Sequence, residues 1–169
     1  MKNKNKKAVF FDRDNTLIKD EGYTYKKKDL KFLPGVIEGL KYLVKKDYLI
    51  IVITNQSGIA RNYFKLRDVK IFHNYMNYKL KNFGAKIDDF FICGCHPNFP
   101  KINSKCKCRK PSNTMILSAI KKWRLKKENI FMIGDKRSDK TAALKTNLRF
   151  YYKSKKINLY KQLRKLTNY

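Results

Sequence analysis

The chain has 169 residues, 43% of them hydrophobic and 14% aromatic, which suffices to bury a core without disulfide staples and excludes general disorder. Forty-one Lys and Arg against thirteen Asp and Glu give a formal net charge of +28. That charge consists of 33 Lys and only 8 Arg, scattered among 15 Asn, 15 Ile, 11 Tyr and 11 Phe, all residues of AT-rich codons. It therefore reads as base-composition drift rather than as a selected nucleic-acid stripe, and no specific nucleic-acid partner is expected.

In chain order, the basic start from Met1 to Lys7 runs directly into a short apolar strand, Ala8 to Phe11, and so does not read as a secretory signal. Further strands are expected at Leu49 to Ile53, Phe90 to Ile92, Ile130 to Ile133 and Phe150 to Tyr152. Between them, Val36, Ile37, Leu40, Leu43 and Val44 share one helix face. Val69, Phe72, Met76, Leu80 and Phe83 share a second, and Met115, Ile116, Ala119, Ile120 and Trp123 a third. Such stripes are core positions. The stretch from Lys153 to Tyr169 reads as a last amphipathic helix docking through Ile157, Tyr160, Leu163 and Leu166. This alternation predicts one α/β domain over residues 1–169, a three-layer doubly wound fold with a mainly parallel five-stranded sheet. No apolar run is long enough to span a bilayer, and a cytoplasmic monomer without membrane contact is expected.

Polar residues gather where the strands end, which is where open α/β sheets bind ligands. The first strand runs into Asp12-Arg13-Asp14-Asn15-Thr16, the second into Thr54-Asn55-Gln56-Ser57-Gly58, and the fourth into Gly134-Asp135-Lys136, with Asp139 one turn later. Taken singly, these are ordinary turn and capping residues. Together they bring several carboxylates to one rim, where repulsion calls for a cation, and hard oxygen ligands suit Mg²⁺.

The segment from Cys93 to Ser112 is too long for an ordinary connection and holds three of the four prolines and all four cysteines. Cys93-x-Cys95 and Cys106-x-Cys108 offer four thiolates to one tetrahedral Zn²⁺ that would order this zinc loop, 93–112, although buried free thiols also fit the pattern.

The strand followed by Asp12-Arg13-Asp14-Asn15-Thr16 resembles the signature of the haloacid dehalogenase superfamily of phosphatases. Glu21-Gly22-Tyr23, Pro34-Gly35-Val36, Thr54 to Arg61, Cys106 to Pro111 and Gly134-Asp135-Lys136 are similar to its heptose 1,7-bisphosphate phosphatase branch, which is close to the histidinol-phosphatases. The resemblance implies a haloacid dehalogenase-like fold without a large cap domain. The implied activity is Mg²⁺-dependent removal of a sugar-bisphosphate phosphate in lipopolysaccharide core synthesis, with histidinol-phosphate hydrolysis as the alternative. A zinc-stapled nucleic-acid-binding protein is the reading from another class, and it leaves the rim aspartates unexplained.

By the same resemblance, Asp12 is the nucleophile and Asp14 the general acid and base. Asp12, the backbone carbonyl of Asp14 and Asp135 hold Mg²⁺, with Asp139 behind them. Thr54 and Lys110 hold the phosphoryl oxygens, while Arg13, Asn55, Gln56 and Arg109 bind substrate. Cys93, Cys95, Cys106 and Cys108 hold Zn²⁺. Cys95 stands where the family's ligand histidine stands, with His96 as a substitute. Asn15 replaces the family's usual glycine, which suits a positive φ. Lacking a cap domain, the site must be walled by the cysteine segment and by Lys19 to Lys31.

Overall fold

The computed structural model describes residues 6–99 and 106–168. The first five residues of the basic start, and residues 100–105 of the cysteine segment, lie outside the described residues. The strands are β1 (Lys7–Phe11), β2 (Tyr48–Asn55), β3 (Asp89–Cys93), β4 (Ile130–Gly134) and β5 (Arg149–Tyr152). The helices are α1 (Val36–Lys45), α2 (Leu66–Lys81), α3 (Thr114–Trp123), α4 (Arg137–Leu144) and α5 (Leu159–Thr167), with single 3₁₀ turns at Lys27–Asp29 and Lys127–Asn129.

The sheet order is β3-β2-β1-β4-β5 and every pairing is parallel. Parallel strands covered on both faces must be apolar on both faces, and Ala8 to Phe11 are all fully buried. Val9, Phe11, Ile50, Val52 and Ile133 point to one side, where α1, α2 and α5 supply Leu40, Phe72, Met76 and Leu163. Phe10, Ile51, Ile53 and Met132 point to the other, against Met115, Ile116, Ala119, Ala142 and Ala143 of α3 and α4. Three layers follow from this alternation. The chain first builds β2 and β3 on one side of β1, then crosses to place β4 on the other. The carboxyl ends of β1 and β4 thus form the switch point at which ligands bind.

Two local details differ from or explain the sequence pattern. The last helix starts at Leu159 rather than Lys153, because Ser154 Oγ accepts the N–H groups of Lys156 and Ile157 and Asn158 caps the N–H of Lys161. Gly39 of α1 lets α5 approach, since a Cβ there would lie 2.9 Å from Leu163 Cδ1. Among the described residues, no helix is long and apolar enough to cross a membrane.

Candidate active site

Strand geometry brings the polar residues to one rim. Phe11, the last residue of β1, pairs with Ile133 near the end of β4, so the side chains of Asp12 and Asp135 emerge side by side. The Asp12 N–H donates to the Ile133 carbonyl at 3.0 Å and fixes this relation. Asp12, Asp135 and Asp139 each have a carboxylate oxygen within 4.8 Å of the other two. Asp139 comes this close because the strand ends on glycine: a Cβ at Gly134 would sit 2.6 Å from Asp139 Oδ2. That same oxygen accepts the Lys136 N–H at 3.0 Å and caps α4. Asn15, next to this rim, holds φ 57° as the substitution for glycine requires.

Lys110 enters from the cysteine segment, 3% exposed, and its three ammonium protons meet three acceptors. Nζ lies 2.7 Å from Asp12 Oδ1, 2.7 Å from Asp139 Oδ1 and 2.6 Å from the Ile53 carbonyl. Burial pulls its pKa down, but the two carboxylates more than reverse this and leave it raised. Asp135 is pushed up to about 6, first by burial and next by the Asp12 charge. Burial also raises Asp139, against the pull of Lys110. Asp135 Oδ1 is buried and has no hydrogen-bond partner among the described residues. An orphaned carboxylate oxygen amid three acids fits a hard cation, so the residues present suit Mg²⁺.

The adjoining cavity, about 310 Å³, is lined on this side by Asp12, Asp14, Lys110 and Asp139. Asn55, Gln56, Ser57 and Arg109 form another wall, and Asp20, Gly22 and Tyr23 bring the Lys19 to Lys31 segment into it. Lys136 and Ser138 complete the rim. Tyr23 lies in the Lys19 to Lys31 segment expected to wall the site, whereas Ser57, Lys136 and Ser138 add to the expected residues, and their places just after β2 and β4 are the signal that points to them.

The expected substrate binders have differing environments. Arg109 lines the cavity and donates through Nη1 to the Cys95 carbonyl at 3.1 Å. Its pKa is lowered by burial and then by the nearby Arg61 charge. Asn55 faces the cavity but is committed to the backbone of Lys110, donating to its carbonyl at 3.1 Å and accepting its N–H at 3.0 Å. Gln56 Nε2 donates to Asp14 Oδ2 at 2.8 Å and to Thr54 Oγ1 at 2.9 Å. Arg13 departs from expectation. Its guanidinium is fully buried, does not line the cavity, and is engaged by Asp14 Oδ1, the Thr24 carbonyl, Gln56 Oε1 and His73 Nε2. A planar five-donor fork so enclosed orients its neighbours instead of meeting solvent-borne substrate.

The four cysteine sulfurs converge within 4.8 Å of one another. Cys93 is at bonding distance of Cys108 and Cys95 of Cys106, with Cα separations of 5.6 and 6.3 Å. The remaining approaches include 3.1 Å between Cys106 and Cys108 and 3.7 Å between Cys93 and Cys106. Four sulfurs gathered this tightly are also the donor set of a tetrahedral zinc, so the residues fit that metal once the sulfurs are thiolates. His96 is outside the cluster. Its Nε2 faces Arg61 at 3.4 Å and its Nδ1 accepts the Asn98 N–H, so it does not act as a substitute ligand in this geometry.

Residues 7–160 match the family described as polynucleotide kinase 3 phosphatase. The chain is 39% identical over 152 residues to a D-glycero-beta-D-manno-heptose-1,7-bisphosphate 7-phosphatase of Haemophilus ducreyi, covering 85% of this chain and 82% of the relative. It is 38% identical over 145 residues to a D-glycero-alpha-D-manno-heptose-1,7-bisphosphate 7-phosphatase of Campylobacter jejuni, covering 84% and 78%. A crystal structure of the D,D-heptose 1,7-bisphosphate phosphatase of B. bronchiseptica with magnesium and phosphate shares the fold, with a TM-score of 0.81 over 96% of this chain and 98% of that one at 22% identity.

Proposed function

The chain belongs to the polynucleotide kinase 3 phosphatase family of haloacid dehalogenase-like phosphatases, and from that premise we propose that it removes the 7-phosphate of a D-glycero-D-manno-heptose 1,7-bisphosphate. It is a phosphoric monoester hydrolase acting on a small sugar bisphosphate, and the reading extends to a place in ADP-heptose synthesis for lipopolysaccharide core. The observation that carries the reading is the buried ammonium of Lys110 bridging Asp12 and Asp139, with all three residues lining a cavity of sugar-phosphate size and the orphaned oxygen of Asp135 buried beside Asp12 and Asp139.

The Asp12 carboxylate attacks phosphorus and the bond from phosphorus to the C7 oxygen breaks. Asp14 gives its proton to that departing oxygen, so the sugar leaves as an alcohol and the phosphoryl group stays on Asp12. Asp14, now a carboxylate, takes a proton from water as it attacks phosphorus, and the bond to Asp12 breaks to release inorganic phosphate. Lys110 offsets the charge on the phosphoryl oxygens, while Thr54, buried behind the cavity wall with its Oγ1 accepting from Gln56 Nε2, holds Gln56 in place. Arg109 offers a planar fork to the other substrate oxygens. Asp12, Asp135 and the backbone carbonyl of Asp14 would hold magnesium, which would supply charge neutralisation for the attack of one anion on another. The four cysteines would hold a structural zinc, and the loop it orders would fix Arg109 and Lys110, which follow Cys108 directly in sequence. The whole chain works as one cytoplasmic domain.

The test is a steady-state screen of heptose 1,7-bisphosphate, histidinol phosphate and a 3′-phosphorylated oligonucleotide with Mg²⁺. The heptose ester is expected to have the highest kcat/KM by at least about tenfold. A preference for either other ester would replace the reading.

A further inference from the structure

Behind the cavity lies a buried polar chain that the phosphatase reading leaves without a role. His73, on α2, is 2% exposed. Its ring stacks on Phe90, with centroids 4.1 Å apart and planes 14° apart, and its Nε2 is 3.2 Å from Arg13 Nη1. Phe72 covers the guanidinium, its ring centroid 5.2 Å from Arg13 Cζ. Arg13 in turn reaches Asp14 Oδ1 through Nε at 2.8 Å and Gln56 Oε1 through Nη2 at 3.0 Å. Gln56 closes the ring by donating to Asp14 Oδ2. One oxygen of Asp14 is therefore held by Arg13 and the other by Gln56, which itself leans on Arg13.

The protonation states in this chain follow from the donor inventory. A guanidinium only donates, so His73 Nε2 must present its lone pair and the ring proton sits on Nδ1. Burial, then the Arg13 charge, pushes the imidazole pKa down to about 2, which keeps that acceptor neutral and available. Among the described residues His73 Nδ1 has no partner, so Nε2 is the ring nitrogen that makes a polar contact.

We propose that His73 is a positioning residue for proton transfer: its Nε2 fixes the rotation of the Arg13 guanidinium, and Arg13 with Gln56 holds Asp14 aimed at the leaving oxygen. The inference rests on the reading of Asp14 as general acid and base. Its chemical consequence depends on the leaving group. A sugar alkoxide needs a proton as it departs, whereas 4-nitrophenolate leaves with little help, so a misaimed acid slows the first ester more than the second.

The experiment compares His73→Phe, which keeps a stacked ring without an acceptor, with His73→Gln, which keeps an acceptor without the ring. His73→Leu replaces the Phe variant if the larger ring does not fold. Thermal unfolding, kcat and KM are measured with Mg²⁺ on heptose bisphosphate and on 4-nitrophenyl phosphate. In the apolar variant, kcat on the sugar ester should fall about tenfold or more beyond any fall on the aryl ester, with KM within about threefold of wild type. The Gln variant should recover most of that difference. Equal losses on both esters, no loss on either, or a Gln variant as impaired as the apolar one would overturn the role of His73. Wild-type protein inactive on every phosphate ester would overturn the phosphatase reading instead.

Discussion

The rim of aspartates and the cysteine segment both border the cavity, yet they are ordered by different forces. The rim is an extension of the sheet: once Ala8 to Phe11 and Ile130 to Ile133 pair in register, Asp12 and Asp135 have nowhere else to emerge. Hydrophobic burial of about 1.5–3 kcal/mol for each large side chain holds that arrangement, so no single polar contact is needed to build it. The cysteine segment has little such support. Of its described residues only Cys93 and Lys110 are buried, and its order depends on four sulfurs meeting. Removing a rim residue should therefore destroy chemistry and spare structure, while removing a sulfur should do the reverse first.

Asp12→Asn is the sharpest version of that contrast. The amide keeps shape and burial but lacks the nucleophilic oxygen pair, so kcat should fall roughly a thousandfold or more, with no phosphoenzyme trapped and a nearly unchanged circular dichroism spectrum. Turnover close to wild type, measured by phosphate release, would remove Asp12 from the reaction. The distinction between the two regions would fail as well if this variant proved unfolded.

Cys106→Ser probes the other region. Wild-type protein purified under reducing conditions should carry close to one zinc per chain by elemental analysis, and the variant close to none. Lys110 and Arg109, no longer fixed by the sulfur cluster, should lose alignment, and kcat/KM should fall about ten- to a hundredfold while the sheet persists. Full activity in protein free of zinc, with four titratable thiols, would show that the segment orders itself without metal.

The same contrast explains what could be read in the sequence. The strands and most helices were legible because each buries a face of regular period, from Ile50, Val52 on one side and Ile51, Ile53 on the other to Leu40 and Leu43 on α1. The rim aspartates were legible because strand ends are fixed by that period. Arg13 stands between site residues in sequence, whereas its environment is supplied by Thr24, Gln56 and His73 from three other segments, which no local pattern announces. His73 itself hides in an amphipathic helix one residue from Phe72, where nothing local distinguishes a core histidine from a supporting one. Asn55 likewise looks like a substrate donor until its amide is seen clamped on the Lys110 backbone. Long-range polar partners carry no period, so they stay invisible along one chain.

The smallest expected effect concerns the rim's response to acid and metal, and it should be absent from the sulfur cluster. Asp135 has its pKa raised to about 6 from 3.8, chiefly by burial and then by Asp12. A carboxyl whose folded pKa exceeds its unfolded one holds a proton in the folded protein that the unfolded chain has already lost. Between about pH 4 and 6 the metal-free protein therefore loses stability from this group as pH rises. Magnesium bound at Asp135 would reverse that penalty, because it would take the place of the proton and bind only the folded state. Its apparent affinity should weaken as pH falls below about 6, since proton and metal compete for the same oxygens. Millimolar Mg²⁺ should accordingly raise Tm by a few degrees, about 2–4 °C, at pH 7.5 and by much less at pH 5. Asp135→Asn should remove the gain at both values, whereas Cys106→Ser should keep it. A gain equal at the two pH values, or one that survives in Asp135→Asn, would mean that the metal is held away from Asp135 and that the orphaned oxygen serves another purpose.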